Sequence, residues 1–188
     1  MKSYKEIQGW FDFEGIYEHM SNILEDHHTF IEVGVWKGKS ICFLGQLLRI
    51  KDKKVKVYAV DTFEGTKNEE PHQNQIEEIG GSTLPIFKEN LKKLDLEDII
   101  TPIVKESVEA AKDFKDETVA AMFIDGDHSY EGVMADLEAW YPKICYNGWI
   151  LGHDYWMDDV KNAVHDYFKK IHKKVVPFEP DCWGVKKG

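Results

Sequence analysis

Cysteine is scarce in this chain of 188 residues. Only Cys42, Cys145 and Cys182 occur, with no CxxC pair among them. Such an odd, widely spaced set excludes a disulfide framework or a cysteine-built zinc or redox site, and reads as ordinary thiols in a reducing compartment. Long apolar runs are also missing. The N-terminal stretch MKSYKEIQGWFDF lacks the continuous apolar core of a signal peptide, and nothing elsewhere approaches the length of a membrane span. The expectation is a cytoplasmic protein without a membrane partner. Positive charge is in deficit too: 24 Lys and Arg stand against 34 Asp and Glu, a net charge of −10. That balance repels a nucleic-acid backbone unless a local basic face offsets it. The lysines clustered at 51–56 and 169–174 fall at expected helix ends, where they complement the helix dipole. No nucleic-acid partner is expected. Internal repeats and low-complexity tracts are absent as well.

What is present is the composition of one globular core, with 43% hydrophobic and 31% charged residues. Short β-rich runs alternate with helical patterns, as in a parallel sheet with crossover helices. Strands are expected at 30–35, 55–61, 99–104, 120–125 and 149–153, and helices at 39–50, 83–94, 130–144 and 158–171. Leu84, Phe87, Leu91 and Leu94 fall on one helix face, with Ser82 or Thr83 available as a cap. The chain closes on runs 175–178 and 182–187, joined by a connection so short that only an antiparallel hairpin fits. Residues 4–26 read as an amphipathic helix, giving an N-terminal helical cap over 1–28 and a main domain over 29–188. The aromatic residues of that cap could also serve a homo-oligomer interface. The polar stretch EGTKNEEPHQNQIEEIGGS, 64–82, reads as an irregular insertion over the carboxyl end of the sheet, where ligands bind in open α/β folds.

The segment FIEVGVWKGKS, 30–40, runs from a strand through glycines into a helix, the context that a nucleotide-binding turn requires. Gly34 permits a tight turn and close approach of a ligand, and Gly38 opens the helix. Glu32 places an acid where a phosphate pocket would not want one, whereas a methionine ammonium gains from it. Asp61, at the tip of the next strand, can accept both ribose hydroxyls or simply cap a turn. Thr62 and Phe63 follow it, placed to flank an adenine.

These residues resemble a known family. The pattern E-x-G-x-x-x-G followed by a strand-end Asp is similar to the first two motifs of class I S-adenosylmethionine-dependent methyltransferases. The segment FIDGDHSYEGVMADLEAWYPKICYNGWILGHDY, 123–155, resembles the small subfamily that includes macrocin-type sugar O-methyltransferases. The resemblance implies a doubly wound α/β fold, with a mostly parallel seven-stranded sheet and a C-terminal antiparallel hairpin. It implies that Glu32, Gly34 and Gly38 shape the methionine pocket, that Asp61 binds the ribose, and that Trp36 and Ser40 add contacts near the amino-acid end. Ser107, in VKESVEAAKDF, falls where the family places a residue beside the adenine.

Asp125, Asp127 and His128 end the fourth expected strand, and His153 and Asp154 end the fifth. Two carboxylates converging there repel unless one is protonated or a cation lies between them, and Mg²⁺ is a simple solution. The resemblance points the same way, with Asp125 beside the cofactor and Asp125 and Asp154 as metal ligands. Tyr155 stands where related catechol enzymes usually carry an Asn ligand, so one ligand is unaccounted for. His128 has the pKa range of a general base, and can equally cap the following helix or orient Asp125. The leading expectation is metal-assisted O-methylation of a small hydroxylated acceptor, a sugar or similar molecule, with Asp125 and His128 as the catalytic pair. The alternatives are a non-catalytic S-adenosylmethionine-binding module and a nicotinamide-dependent oxidoreductase. The second of these lacks its G-x-G-x-x-G.

Overall fold

Strands that carry apolar residues on both sides need cover on both faces, and the central strands of this chain have it. Phe30, Ala121, Phe123 and Leu151 are buried on one face, while their neighbours Ile31, Met122, Ile124 and Ile150 are buried on the other. The computed structural model describes residues 3–66 and 70–188. Its strands are β1 (Thr29–Val33), β2 (Lys56–Asp61), β3 (Ile100–Val104), β4 (Val119–Ile124), β5 (Ile144–Gly152), β6 (Val176–Phe178) and β7 (Cys182–Lys186). They form one seven-stranded sheet in the order β3-β2-β1-β4-β5-β7-β6. The first five run parallel, and β7 pairs antiparallel with both β5 and β6. This is the doubly wound α/β sheet with a terminal antiparallel hairpin that the sequence led us to expect.

The helices are α1 (Glu14–Ile23), α2 (Lys39–Ile50), α3 (Glu70–Glu78), α4 (Leu84–Leu94), α5 (Ser107–Ala111), α6 (Tyr130–Trp140) and α7 (Asp158–Lys170). Residues of α1, α2 and α4 share the core on one side of the sheet, and residues of α5, α6 and α7 share the core on the other. The order in which strands are added reverses between the parallel neighbours β1 and β4, so the carboxyl ends of these two strands border the crevice where open α/β sheets bind ligands. Among the described residues, no helix is long and apolar enough to cross a membrane.

Four local expectations change. The N-terminal amphipathic helix shrinks to a 3₁₀ turn at Tyr4–Glu6 and to α1. Between them Gly9 has φ of 148°, outside any helix, and its carbonyl accepts a bond of 2.9 Å from Lys39 Nζ. The insertion at 64–82 contains α3 rather than purely irregular chain. The helix expected over 130–144 ends at Trp140, because Pro142 lies just beyond and a 3₁₀ turn takes over at Tyr141–Lys143. That frees Ile144 to begin β5 five residues early, with a register irregularity opposite Val119 and Ala121. The five-residue helix α5, too short to leave a periodic pattern, follows β3.

Phe123 occupies the centre of this arrangement, stacked on Phe13 at 4.7 Å and edge-on to Tyr17 at 5.2 Å. Phe123→Ala should lower the unfolding free energy by about 3–5 kcal/mol. Urea denaturation measures this. A loss below about 1 kcal/mol would show that the site collapses and that the N-terminal segment does not depend on it.

Candidate cofactor and catalytic site

The parallel register lines up the site. Val60, Val33, Ile124 and Gly152 pair across β2, β1, β4 and β5. The residue after each is therefore Asp61, Gly34, Asp125 and His153. Backbone bonds carry the ladder one step further, from Gly34 N to Val60 O (2.9 Å), Asp125 N to Val33 O (2.8 Å) and His153 N to Ile124 O (3.1 Å). Two acids, a glycine and a histidine thus share one row at the carboxyl edge of the sheet. Above it lies a cleft of about 840 Å³, bordered by strand ends from β3 to β5 and by residues 9–12 of the N-terminal segment.

Gly34 is the tightest point. It has φ of 81°, and a Cβ there would overlap the backbone of Asp125. After it, the backbone N–H groups of Val35 and Trp36 both donate to Asp61 Oδ2, at 2.8 and 2.9 Å, while Phe63 N donates to Oδ1 at 2.7 Å. Asp61 therefore fastens the turn to β2 as well as facing the cleft. Burial raises its pKa, opposed by these amide bonds.

Glu32 lies lower than expected. Two positions after Phe30, its side chain leaves the sheet on the side of α1 and α2 rather than along the strand. The carboxylate is fully buried and does not line the cleft. Oε1 accepts a bond from Ser40 Oγ, and the Tyr17 hydroxyl lies beside the carboxylate. Burial lifts Glu32 from near 4.5 to about 8; Ser40 and Tyr17 oppose the rise, and the charges of Asp125 and Asp61 add to it. A fully buried acid under a glycine turn fits a ligand that brings positive charge nearby.

Trp36, Ser40, Thr62 and Ser107 line the cleft, but Gly38 and Phe63 do not. Gly38 is the cap of α2 at φ of 86°, and a Cβ there would strike the ring of Phe87. Phe63 was expected to flank an adenine. The bond from its N–H to Asp61 instead pulls it into a tight turn with φ of 60°, which sends the ring into the core against Phe87 at 5.1 Å.

At the β4 and β5 ends, Asp125, His128 and Asp154 each present one ligand atom, all within 4.8 Å of one another. His128 Nε2 is 3.0 Å from Asp154 Oδ2. His153 lies beside both acids, with Nδ1 at 3.5 Å from Asp125 and 3.3 Å from Asp154, and its Nε2 at 3.5 Å from Asp12. Burial works to lower the His153 pKa, yet the bonds and charges of Asp125 and Asp154 outweigh it and carry the group up to about 10. Asp154 moves down: burial opposes the change, and His128 and His153 overcome it. Burial raises Asp125 despite His153. Tyr155 turns away, its hydroxyl 2.7 Å from His165 Nε2, so it does not supply the missing ligand.

Two contributors escaped the sequence reading. The wall formed by Gly9, Trp10, Phe11 and Asp12 was hidden inside an expected helix. Asp136, buried and lining the cleft, sits among Val133, Leu137 and Trp140 on the inward face of α6. An acid at a stripe position was the available signal.

Comparison with known proteins agrees with this geometry. A family model described as a methyltransferase domain matches residues 31–155. Among curated proteins, the chain is 27% identical over 177 residues to an uncharacterized protein of Acanthamoeba polyphaga mimivirus, covering 90% of the chain and 73% of that protein. It is also 27% identical over 151 residues to the 8-demethyl-8-(2,3-dimethoxy-alpha-L-rhamnosyl)-tetracenomycin-C 4'-O-methyltransferase of Streptomyces olivaceus. That match covers 73% of the chain but only 56% of the relative. The solved O-methyltransferase NovP is similar in fold, with a TM-score of 0.67 at 21% identity, covering 93% of this chain and 78% of that one.

Glu32 ties stability to pH. Its folded pKa lies above its unfolded value, so the folded state holds the extra proton between about 4.5 and 8, and stability falls as pH rises through that window. In the absence of cofactor, thermal melts should show the wild type losing stability from pH 5 to pH 8 relative to Glu32→Gln, by at most about 1.4 kcal/mol per pH unit. Parallel curves would remove Glu32 as the source. Asp61→Ala should weaken S-adenosylmethionine binding and also lower stability by about 1–3 kcal/mol, since three backbone donors lose their acceptor. Unchanged affinity in a calorimetric titration would refute the ribose role.

Proposed function

This chain belongs to the methyltransferase-domain family of S-adenosylmethionine-dependent enzymes, and on that premise we propose that it methylates an oxygen of a small hydroxylated acceptor, a sugar or similar molecule. The observation that carries the reading is the His128 and Asp154 pair, 3.0 Å apart, in the same cleft as the glycine turn. The turn and Asp61 hold the nucleoside, and the acceptor enters beside residues 9–12. Its oxygen attacks the methyl carbon as the carbon–sulfur bond breaks, and the hydroxyl proton goes to His128. Asp154 favours the imidazolium that forms. The sulfonium is already a strong electrophile, so the residues mainly align oxygen and methyl and keep water out.

The donor set of Asp125 and Asp154, with His128 within reach, fits a divalent ion such as Mg²⁺. When bound, such an ion would lower the pKa of the acceptor hydroxyl. A second reading rests on His153: an imidazolium between Asp125 and Asp154 already supplies a positive charge, and with it methyl transfer proceeds without a metal.

The test is methyl transfer to a panel of free sugars and glycosides, with and without exhaustive chelation. His128→Ala should lower kcat by about 10²–10⁴-fold with cofactor affinity retained. Turnover that disappears on chelation and returns with Mg²⁺ supports the ion. Turnover indifferent to chelation, yet lost in His153→Ala, supports the second reading. Full activity of His128→Ala overturns the base assignment.

A further inference from the structure

The end of the cleft near β3 holds a carboxylate that the methyl-transfer chemistry does not use. Asp136 occupies the inward stripe of α6, between Val133 and Leu137 and one turn before Trp140, and is only 4% exposed. A carboxylate at such a position is costly unless its acceptor sites are filled. Part of that filling is visible. Trp140 Nε1 donates to Ser107 Oγ at 2.8 Å, and the Ser107 hydroxyl in turn interacts with Asp136. The indole thus fixes the hydroxyl, and the hydroxyl fixes the acid. A carboxylate has about four acceptor sites, so one serine leaves it able to accept more. Burial lifts the acid from near 3.8 to about 7; the Ser107 bond opposes the rise, and the negative charges of Asp127 and Glu106 add to it.

We infer that Asp136 reads the purine of the cofactor, accepting a hydrogen bond from the exocyclic amine of adenine, with Ser107 as the residue that positions it. The inference rests on the reading that this cleft holds S-adenosylmethionine. The order of strand ends across the cleft makes the assignment. On that reading Asp61, at the end of β2, takes the ribose, and Asp125, His128 and Asp154, which follow β4 and β5, take the end that carries the transferred methyl. The base is left for the end lined by Ser107, Val108, Ala135 and Asp136. Of the groups an adenine offers, the amine is the one that donates two protons outside the ring, and the ionised form of Asp136, which only accepts, matches it. Hypoxanthine presents a carbonyl at the same place, so two acceptors would face each other.

Calorimetric titration of the full chain with S-adenosylhomocysteine and with its hypoxanthine counterpart, S-inosylhomocysteine, tests the assignment. The wild type should bind the adenine form about 10- to 100-fold more tightly. Asp136→Asn can donate to the hypoxanthine carbonyl, and should bring the ratio near unity or invert it. Ser107→Ala should reduce the ratio by several-fold, because the acid is no longer held. A folded Asp136→Asn protein that keeps the wild-type ratio would overturn the inference and leave the cofactor reading standing. Equal affinities in the wild type would do the same, and serve if the variant does not fold. Binding of neither ligand by the wild type would overturn the cofactor reading and this inference with it.

Discussion

The turn after β1 is held by one carboxylate accepting from consecutive backbone amides, Asp61 bonded to Val35 and Trp36. This pair of bonds joins the carboxyl ends of two neighbouring strands and fixes the direction in which the chain leaves the sheet. From that direction follow the left-handed conformation at Gly34, the close passage over the backbone of Asp125 and the start of α2 at Lys39. The start of α2 places Ser40 over Glu32 and closes the buried acid from solvent. Gly34 has no room for a side chain because the turn is drawn down to this depth.

Around that turn the protein concentrates acidic groups where burial penalises their charged forms. Glu32, Asp61, Asp125 and Asp136 are all raised in pKa with burial as the leading cause, and each lies under or along the same cleft. An arrangement of this kind is poorly satisfied on its own, since buried carboxylates repel one another and lose hydration. It suits a cofactor that carries a sulfonium and an ammonium, and it disfavours the phosphates of a dinucleotide. The chain's overall acidity is thus repeated locally at its site.

The strand order, the glycine turn and the acids at strand ends were legible because each depends on spacing alone. Asp61 and Asp125 follow apolar runs, and parallel register turns that position along the chain into proximity. The roles that failed to show were those set by direction rather than position. Phe63 follows Asp61 in sequence, yet a backbone bond turns its ring away. Glu32 precedes the turn, yet the pleat points it beneath α2. The N-terminal segment misled for another reason: its aromatics at 10, 11, 13 and 17 suit a helical face, but Phe11 and Phe13 meet in a non-helical stretch that Lys39 holds at Gly9. No local pattern reveals a partner thirty residues away.

The hairpin has a consequence for the order of assembly. β7 lies between β5 and β6 in the sheet but follows both along the chain. During folding the outer edge of β5 therefore stays open, and β6 has nothing to pair with, until the residues after Asp181 add to the sheet. An uncovered edge beside a hydrophobic face is the part of a sheet most prone to pair with another chain. In this fold, the covering of that edge depends on the insertion of a single five-residue segment.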